Sequence, residues 1–124
     1  LCLASRDAEA QNRWIVGPGG FPSIHAAYLR AAPGDTILVR IPSDWIYTLS
    51  GKGVRIIGDG VTPSIQTVQR YTNFYPRWQS IIERVPAGQV MYLENLRFEG
   101  GLHLRWSDGG LVLNRVEARR STHD

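Results

Sequence analysis

Apolar and polar positions alternate along much of this chain, and the alternation breaks at related places. From Val90 to Gly101 the sequence reads VMYLENLRFEGG. Met91 and Leu93 share one face and Tyr92 and Glu94 the other, the signature of a half-buried strand. Asn95 then takes a position that alternation assigns to the interior, and the apolar face resumes at Leu96 and Phe98. About twenty residues on, LVLNRVEARR, Leu111 to Arg120, repeats the slip: Leu113 falls on Leu93, Val116 on Leu96, Ala118 on Phe98, and Asn114 and Arg115 on Glu94 and Asn95.

A phase slip at a fixed offset marks a corner at which the chain bends so that both arms keep their apolar side chains inward. Between the copies, Leu102, Leu104 and Trp106 alternate with His103 and Arg105, and SDGG at Ser107 to Gly110 supplies another corner. Short strands separated by polar or glycine corners, with a repeat of about twenty residues, describe coils of a parallel β-solenoid. Equivalent strands would pair one coil apart, and a corner Asn would tolerate left-handed dihedrals and bond bent backbone with its amide. A β-sandwich with similar turn spacing is the alternative on the repeat alone.

Upstream, the pattern predicts a strand at Trp14 to Val16, a turn at Gly17 to Gly20, and a helix over Pro22 to Ala32. Ile24, Ala27, Tyr28 and Ala31 line one face of that helix, Ser23 is a candidate cap, and Pro33 and Gly34 end it. Strands are then predicted at Thr36 to Ile41, Trp45 to Leu49 and Val54 to Gly58. Asp59 to Gln79 reads as irregular, and Ser80 to Val85 resumes strand character.

Length and charge narrow the function. At 124 residues the chain is one domain at most, and 43% apolar with 20% charged residues argues against disorder. The net charge of +3 is modest, so nucleic acid is not an expected partner. Lys52 is the only lysine; the rest of the basic set is arginine, whose planar fork suits carboxylates and phosphates. One cysteine, Cys2, allows neither an intrachain disulfide nor a cysteine metal cluster, and no apolar run is long enough for a membrane span. Residues 1–13 read as an irregular tail, with AEA at Ala8 to Ala10 a candidate cleavage site of an export signal. That reading places the protein outside the cell or in the periplasm.

The segment Ile15 to Gly60 resembles the opening of right-handed parallel β-helix proteins of the pectin-lyase-like superfamily, such as pectin methylesterases and bacterial β-helix repeat proteins. The resemblance rests on Phe21, Ser23, Ile24, His25 and Ala27, then APGDTILV at Ala32 to Val39, then VRIIGDG at Val54 to Gly60. PSDWIY stands where the family usually has P-G-x-Y, with Trp45 or Tyr47 in the aromatic's place. The resemblance implies an all-β fold over residues 14–124: the N-terminal capping helix and first coils of a right-handed parallel β-helix, a short or truncated version, with Ile24, Tyr28 and Ala31 shielding the end of the core. It also implies a carbohydrate-active protein that binds or processes acidic, pectin-like polysaccharide. The esterase run G-x-Q-D-T is missing, as is an Asp cluster of the kind that holds calcium in the lyases. No catalytic residues, cofactor or metal site are therefore assigned.

Two groups of residues are candidate sugar contacts. Tyr71, Tyr75, Arg77 and Trp78 lie in the densest aromatic stretch, where rings could stack on sugar faces and Arg77 could pair with a uronate; packing of the loop on the solenoid is the plainer explanation. His103, Arg105 and Asp108 fall on or beside one outward face, with Arg97, Glu99, Arg115 and Glu117 on neighbouring rows. The plainer explanation there is a solvated face with cross-coil ion pairs. His25 reads as a polar position on the cap helix. A non-enzymatic surface or phage-type β-helix, a rigid scaffold and binding platform, is the alternative function. Self-association through an open C-terminal edge is the expected homotypic contact.

Overall fold

The computed structural model describes residues 12–72 and 75–118, with side chains described outside 68–79. The candidate cleavage site at Ala8 to Ala10 lies outside the described residues. The chain winds as a parallel β-solenoid of about four turns, with one short helix at its beginning. The first face stacks β1 (Arg13–Val16), β2 (Thr36–Val39), β5 (Arg55–Gly58) and the leading arms of β9 (Val90–Phe98) and β11 (Gly110–Ala118). The second stacks β3 (Ser43–Trp45), β6 (Ser64–Gln66) and the trailing arm of β9. The third stacks β4 (Thr48–Ser50), the end of β8 (Tyr75–Glu83) and β10 (Gly101–Arg105).

The predicted repeat is the observed register: Leu113 pairs with Leu93, Val116 with Leu96 and Ala118 with Phe98, all parallel. Inward positions stack into apolar columns, Ile37–Ile56–Leu93 on the first face and Leu49–Ile82–Leu104 on the third. Ile37, Ile56 and Leu93 are wholly inaccessible to solvent. The column's next member, Leu113, is 49% exposed, so the core thins toward β11.

Asn95 is the corner within β9. Its φ of 57° is left-handed, a conformation that Asn adopts more readily than most residues. Its amide nitrogen donates to the carbonyls of Gly58 (3.1 Å) and Val61 (3.0 Å), and its oxygen accepts from Thr62 Oγ1 (2.8 Å). Gly58 is needed there, because a Cβ would stand 2.3 Å from the Asn95 carbonyl oxygen. Arg115 repeats the corner at φ 54°, and Arg84 and Trp106 form a second column of left-handed corners at 57° and 52°.

The helix, α1 (Ile24–Arg30), is shorter than predicted and starts after Ser23, whose hydroxyl caps it by accepting from Ala26 N (3.1 Å). Ile24, Ala27, Tyr28 and Ala31 are buried against the core, closing one end of the solenoid. The Tyr28 hydroxyl donates to Lys52 O (2.8 Å) and accepts from Lys52 N (3.2 Å), while Lys52 Nζ bonds the Ala31 carbonyl. Burial raises the Tyr28 pKa above its ordinary value. Asp35, 1% exposed, gathers Asn12 N (3.1 Å), Trp14 Nε1 (2.9 Å) and Ala32 N (2.8 Å), which gives the Ala-Pro-Gly-Asp turn its structural role.

Two predicted elements differ. Trp45 to Leu49 is not one strand: β3 and β4 are separated by a corner that keeps Ile46 and Leu49 both inward. The stretch read as irregular carries strands from Ser64 on. It holds β6, and β7 (Val68–Thr72) pairs antiparallel with the first half of β8, whose end lies on the third face.

Candidate functional site

The third face ends in a corner that concentrates charge and an aromatic ring. β8 delivers Glu83 and β10 delivers Arg105 at paired positions, because these strands run parallel with Glu83 opposite Arg105. Both side chains point outward, since Ile82 and Leu104 occupy the inward positions beside them. The next residue on each strand, Arg84 or Trp106, takes the left-handed corner conformation.

Glu83 is the centre of the group. Its side chain is 11% exposed; Arg105 Nε donates to it at 2.8 Å and Arg84 Nε stands at 3.5 Å. The hydrogen bond from Arg105 holds the Glu83 carboxyl below its ordinary pKa against the opposing effect of burial, helped by Ser50 and by the charges of Arg105 and Arg84. Both guanidinium groups also lie over the indole of Trp106, Arg105 at 4.2 Å and Arg84 at 5.1 Å from its centroid. Trp106 is 65% exposed.

Chemically, two cations face one carboxylate, so the corner keeps an unbalanced positive charge. Arg105 spends Nε on Glu83 while Arg84 Nε only faces it as an ion pair, and among the described residues the terminal nitrogens of both make no hydrogen bond. An arginine has five donors in a fixed fork, so several remain to receive an anion.

Of the residues singled out from sequence whose side chains are described, only Arg105 belongs to this group. His103 is exposed on β10 at the position opposite Ile81, and Asp108 is exposed in the following turn; neither forms an ion pair among the described residues. Asp108 serves the turn through its backbone N–H, which donates to Val85 O at 3.0 Å. Arg97 pairs with Glu117 (3.0 Å) and Arg115 with Glu94 (3.7 Å), the cross-coil ion pairs expected of a solvated face. Glu99 accepts from Ser64 Oγ (2.5 Å). Tyr71, Tyr75, Arg77 and Trp78 fall in the β7–β8 hairpin, outside the residues whose side chains are described.

A concavity elsewhere on the chain was not anticipated. A groove of about 410 Å³ lies between the start of α1 and the β3–β4 corner, lined by Ser23, His25, Asp44, Trp45, Tyr47 and Thr48 with Ile46 and Leu49 at its base. Trp45 and Tyr47 are each about half exposed, with ring centroids 6.1 Å apart and planes tilted by 53°. Asp44 accepts from Ile24 N (2.6 Å) and Trp45 N (2.7 Å). The available signal was two aromatic residues flanking Ile46 at outward positions.

Among the described residues no group of three or more His, Cys, Asp or Glu side chains is placed to hold a metal ion, and no helix is long and apolar enough to cross a membrane. No family model, curated protein or solved structure matches the chain.

Proposed function

We propose that this chain is a capped β-helix module of the pectin-lyase-like type that binds an acidic polysaccharide. The observation that carries the reading is the corner of Arg84, Arg105 and Trp106 around Glu83. Its spare guanidinium donors suit a sugar carboxylate, and its exposed indole suits the C–H surface of the ring that bears it. The residual charge of one favours a ligand with one carboxylate per unit over a dianionic phosphate. The ordered motifs between Phe21 and Gly60 support the family assignment, and the observed helix lid and stacked coils agree with it. Binding, without complete catalysis, is the role assigned to these residues, because the corner's carboxylate is occupied by two arginines.

Isothermal titration of the whole chain with an oligogalacturonate, against the uncharged oligogalactose of equal length, tests the reading. The acidic ligand is expected to bind and the neutral one not. Arg84→Gln should weaken binding about tenfold or more, the scale of a lost charge-assisted hydrogen bond, without unfolding the chain. Equal binding of both ligands, or of wild type and Arg84→Gln, would overturn it. A second reading, a rigid non-enzymatic scaffold, is favoured by the way outward charges pair across coils, as in Arg40 with Asp59 at 2.6 Å and Arg97 with Glu117. It predicts no binding to either oligosaccharide.

A further inference from the structure

The groove beside the cap helix differs from the arginine corner in charge. Among the described residues its lining holds one carboxylate, Asp44, and neither lysine nor arginine. That carboxylate is the local anion, in a chain whose net charge is +3. Two of its walls are aromatic: Trp45 and Tyr47, each about half exposed, meet at a tilt of 53°. Aromatic faces attract cations through their quadrupole, most strongly cations that are poorly hydrated.

From these observations we infer that the Trp45–Tyr47 groove is a binding site for a small alkylated ammonium group, such as a quaternary amine. Trp45 and Tyr47 form the cage walls, and the nearly inaccessible Ile46 and Leu49 close the floor beneath them. Asp44 supplies the opposing charge. A carboxylate offers about four lone-pair directions, and the backbone N–H groups of Ile24 and Trp45 use two of them. Those two bonds fix the carboxylate in place, so it need not be ordered when a ligand arrives. The site is built by the cap itself, because the Asp44 that bonds the first helical N–H also lines the groove. It is independent of the arginine corner and of the acidic ligand proposed there.

The test uses the whole chain, with choline as the probe and 3,3-dimethylbutan-1-ol, its uncharged isostere, as the control. Binding is followed by NMR shift perturbation of the Trp45 indole and the Ile46 and Leu49 methyls. Choline is expected to bind saturably at the groove and at least about tenfold more tightly than the alcohol. Trp45→Phe should retain most of the affinity, and Trp45→Leu should lose about tenfold. Asp44→Asn keeps an amide oxygen for the helix N–H, and should weaken choline while leaving the alcohol unaffected. Equal affinity for choline and the alcohol would overturn the inference by showing an apolar cleft indifferent to charge. So would choline binding unchanged in folded Trp45→Leu, or no saturable choline shift at the groove.

Discussion

Asn95 shows how one side chain can set a bend. Its left-handed backbone alone would cost a typical residue about 1 to 2 kcal/mol. Its amide offsets that by reaching back to the carbonyls of Gly58 and Val61 on the preceding coil. Asn95→Ala should therefore destabilise by about 1 to 3 kcal/mol, read as a lower urea midpoint. Arg115 sits at the same corner one coil on, with φ 54°, and its side chain is 74% exposed and 3.7 Å from Glu94. That ion pair is too exposed to contribute much. Arg115→Gly should accordingly leave stability unchanged or raise it by up to about 1 kcal/mol, whereas Asn95→Gly should lose stability because its three hydrogen bonds go with the side chain. An equal response at the two corners would show that backbone strain alone decides, and that the amide contributes nothing.

Among the elements, the cap helix and the β8–β10 pair carry the buried polar groups whose loss should be felt. The cap is only seven residues long, too short to persist without its packed face and its ties to the chain below. Tyr28→Phe keeps the ring in the core but leaves the Lys52 backbone groups without their partner. A loss of about 1 to 2 kcal/mol in thermal or urea unfolding is expected. Asp35→Ala strips acceptors from three donors at once, and should cost more, about 2 to 4 kcal/mol. On β8, the Glu83 carboxyl is held below the ordinary value of 4.5, first by the hydrogen bond from Arg105. A depressed acid stabilises the fold above its unfolded pKa and loses that contribution as pH falls through the folded one. Stability should therefore fall as pH drops below about 4.5, and Glu83→Gln should flatten that part of the profile. A profile identical in the variant would mean that other carboxylates control acid unfolding.

The same elements show what the sequence disclosed. The slip from Leu93 to Leu96 was legible because a strong apolar residue stands on each side of a polar one, and because Leu113 and Val116 repeat it. An identical spacing of three, Ile46 to Leu49 and Ile82 to Val85, marks the two third-face corners. The first was hidden by Tyr47, an apolar-looking residue that in fact projects outward. The strand β6 was hidden by composition. Its continuation places Thr67, a polar residue, at a buried position, so hydrophobic alternation fades there although the backbone stays extended. The arginine corner was half legible: Arg105 falls on an outward row, but only the register joining β8 to β10 brings Glu83 and Arg84 to it. The groove depends on where the helix lies over β3, a placement no local pattern encodes.

For the molecule as a whole, stacking in one dimension makes stability a sum of each coil and its contacts with its neighbours. A coil flanked on both sides should open less often than one flanked on one side. β5 lies between β2 and β9, and its inward Ile56 is fully buried; β11 pairs only with β9 among the described residues, and Leu113 is half exposed. Native-state hydrogen exchange on the dilute 124-residue chain should therefore show amides of β5 and the leading arm of β9 as the slowest, exchanging through global unfolding. Those of β11 should exchange faster, through local opening. Raising the protein concentration adds a second test, because an unpaired parallel edge is a template for another strand. If copies associate through that edge, β11 amides should gain protection with concentration while those of β5 stay constant, and Leu113→Glu should abolish the gain. Slow β11 exchange in dilute solution, independent of concentration and unaffected by Leu113→Glu, would show instead that the edge is already covered within one chain.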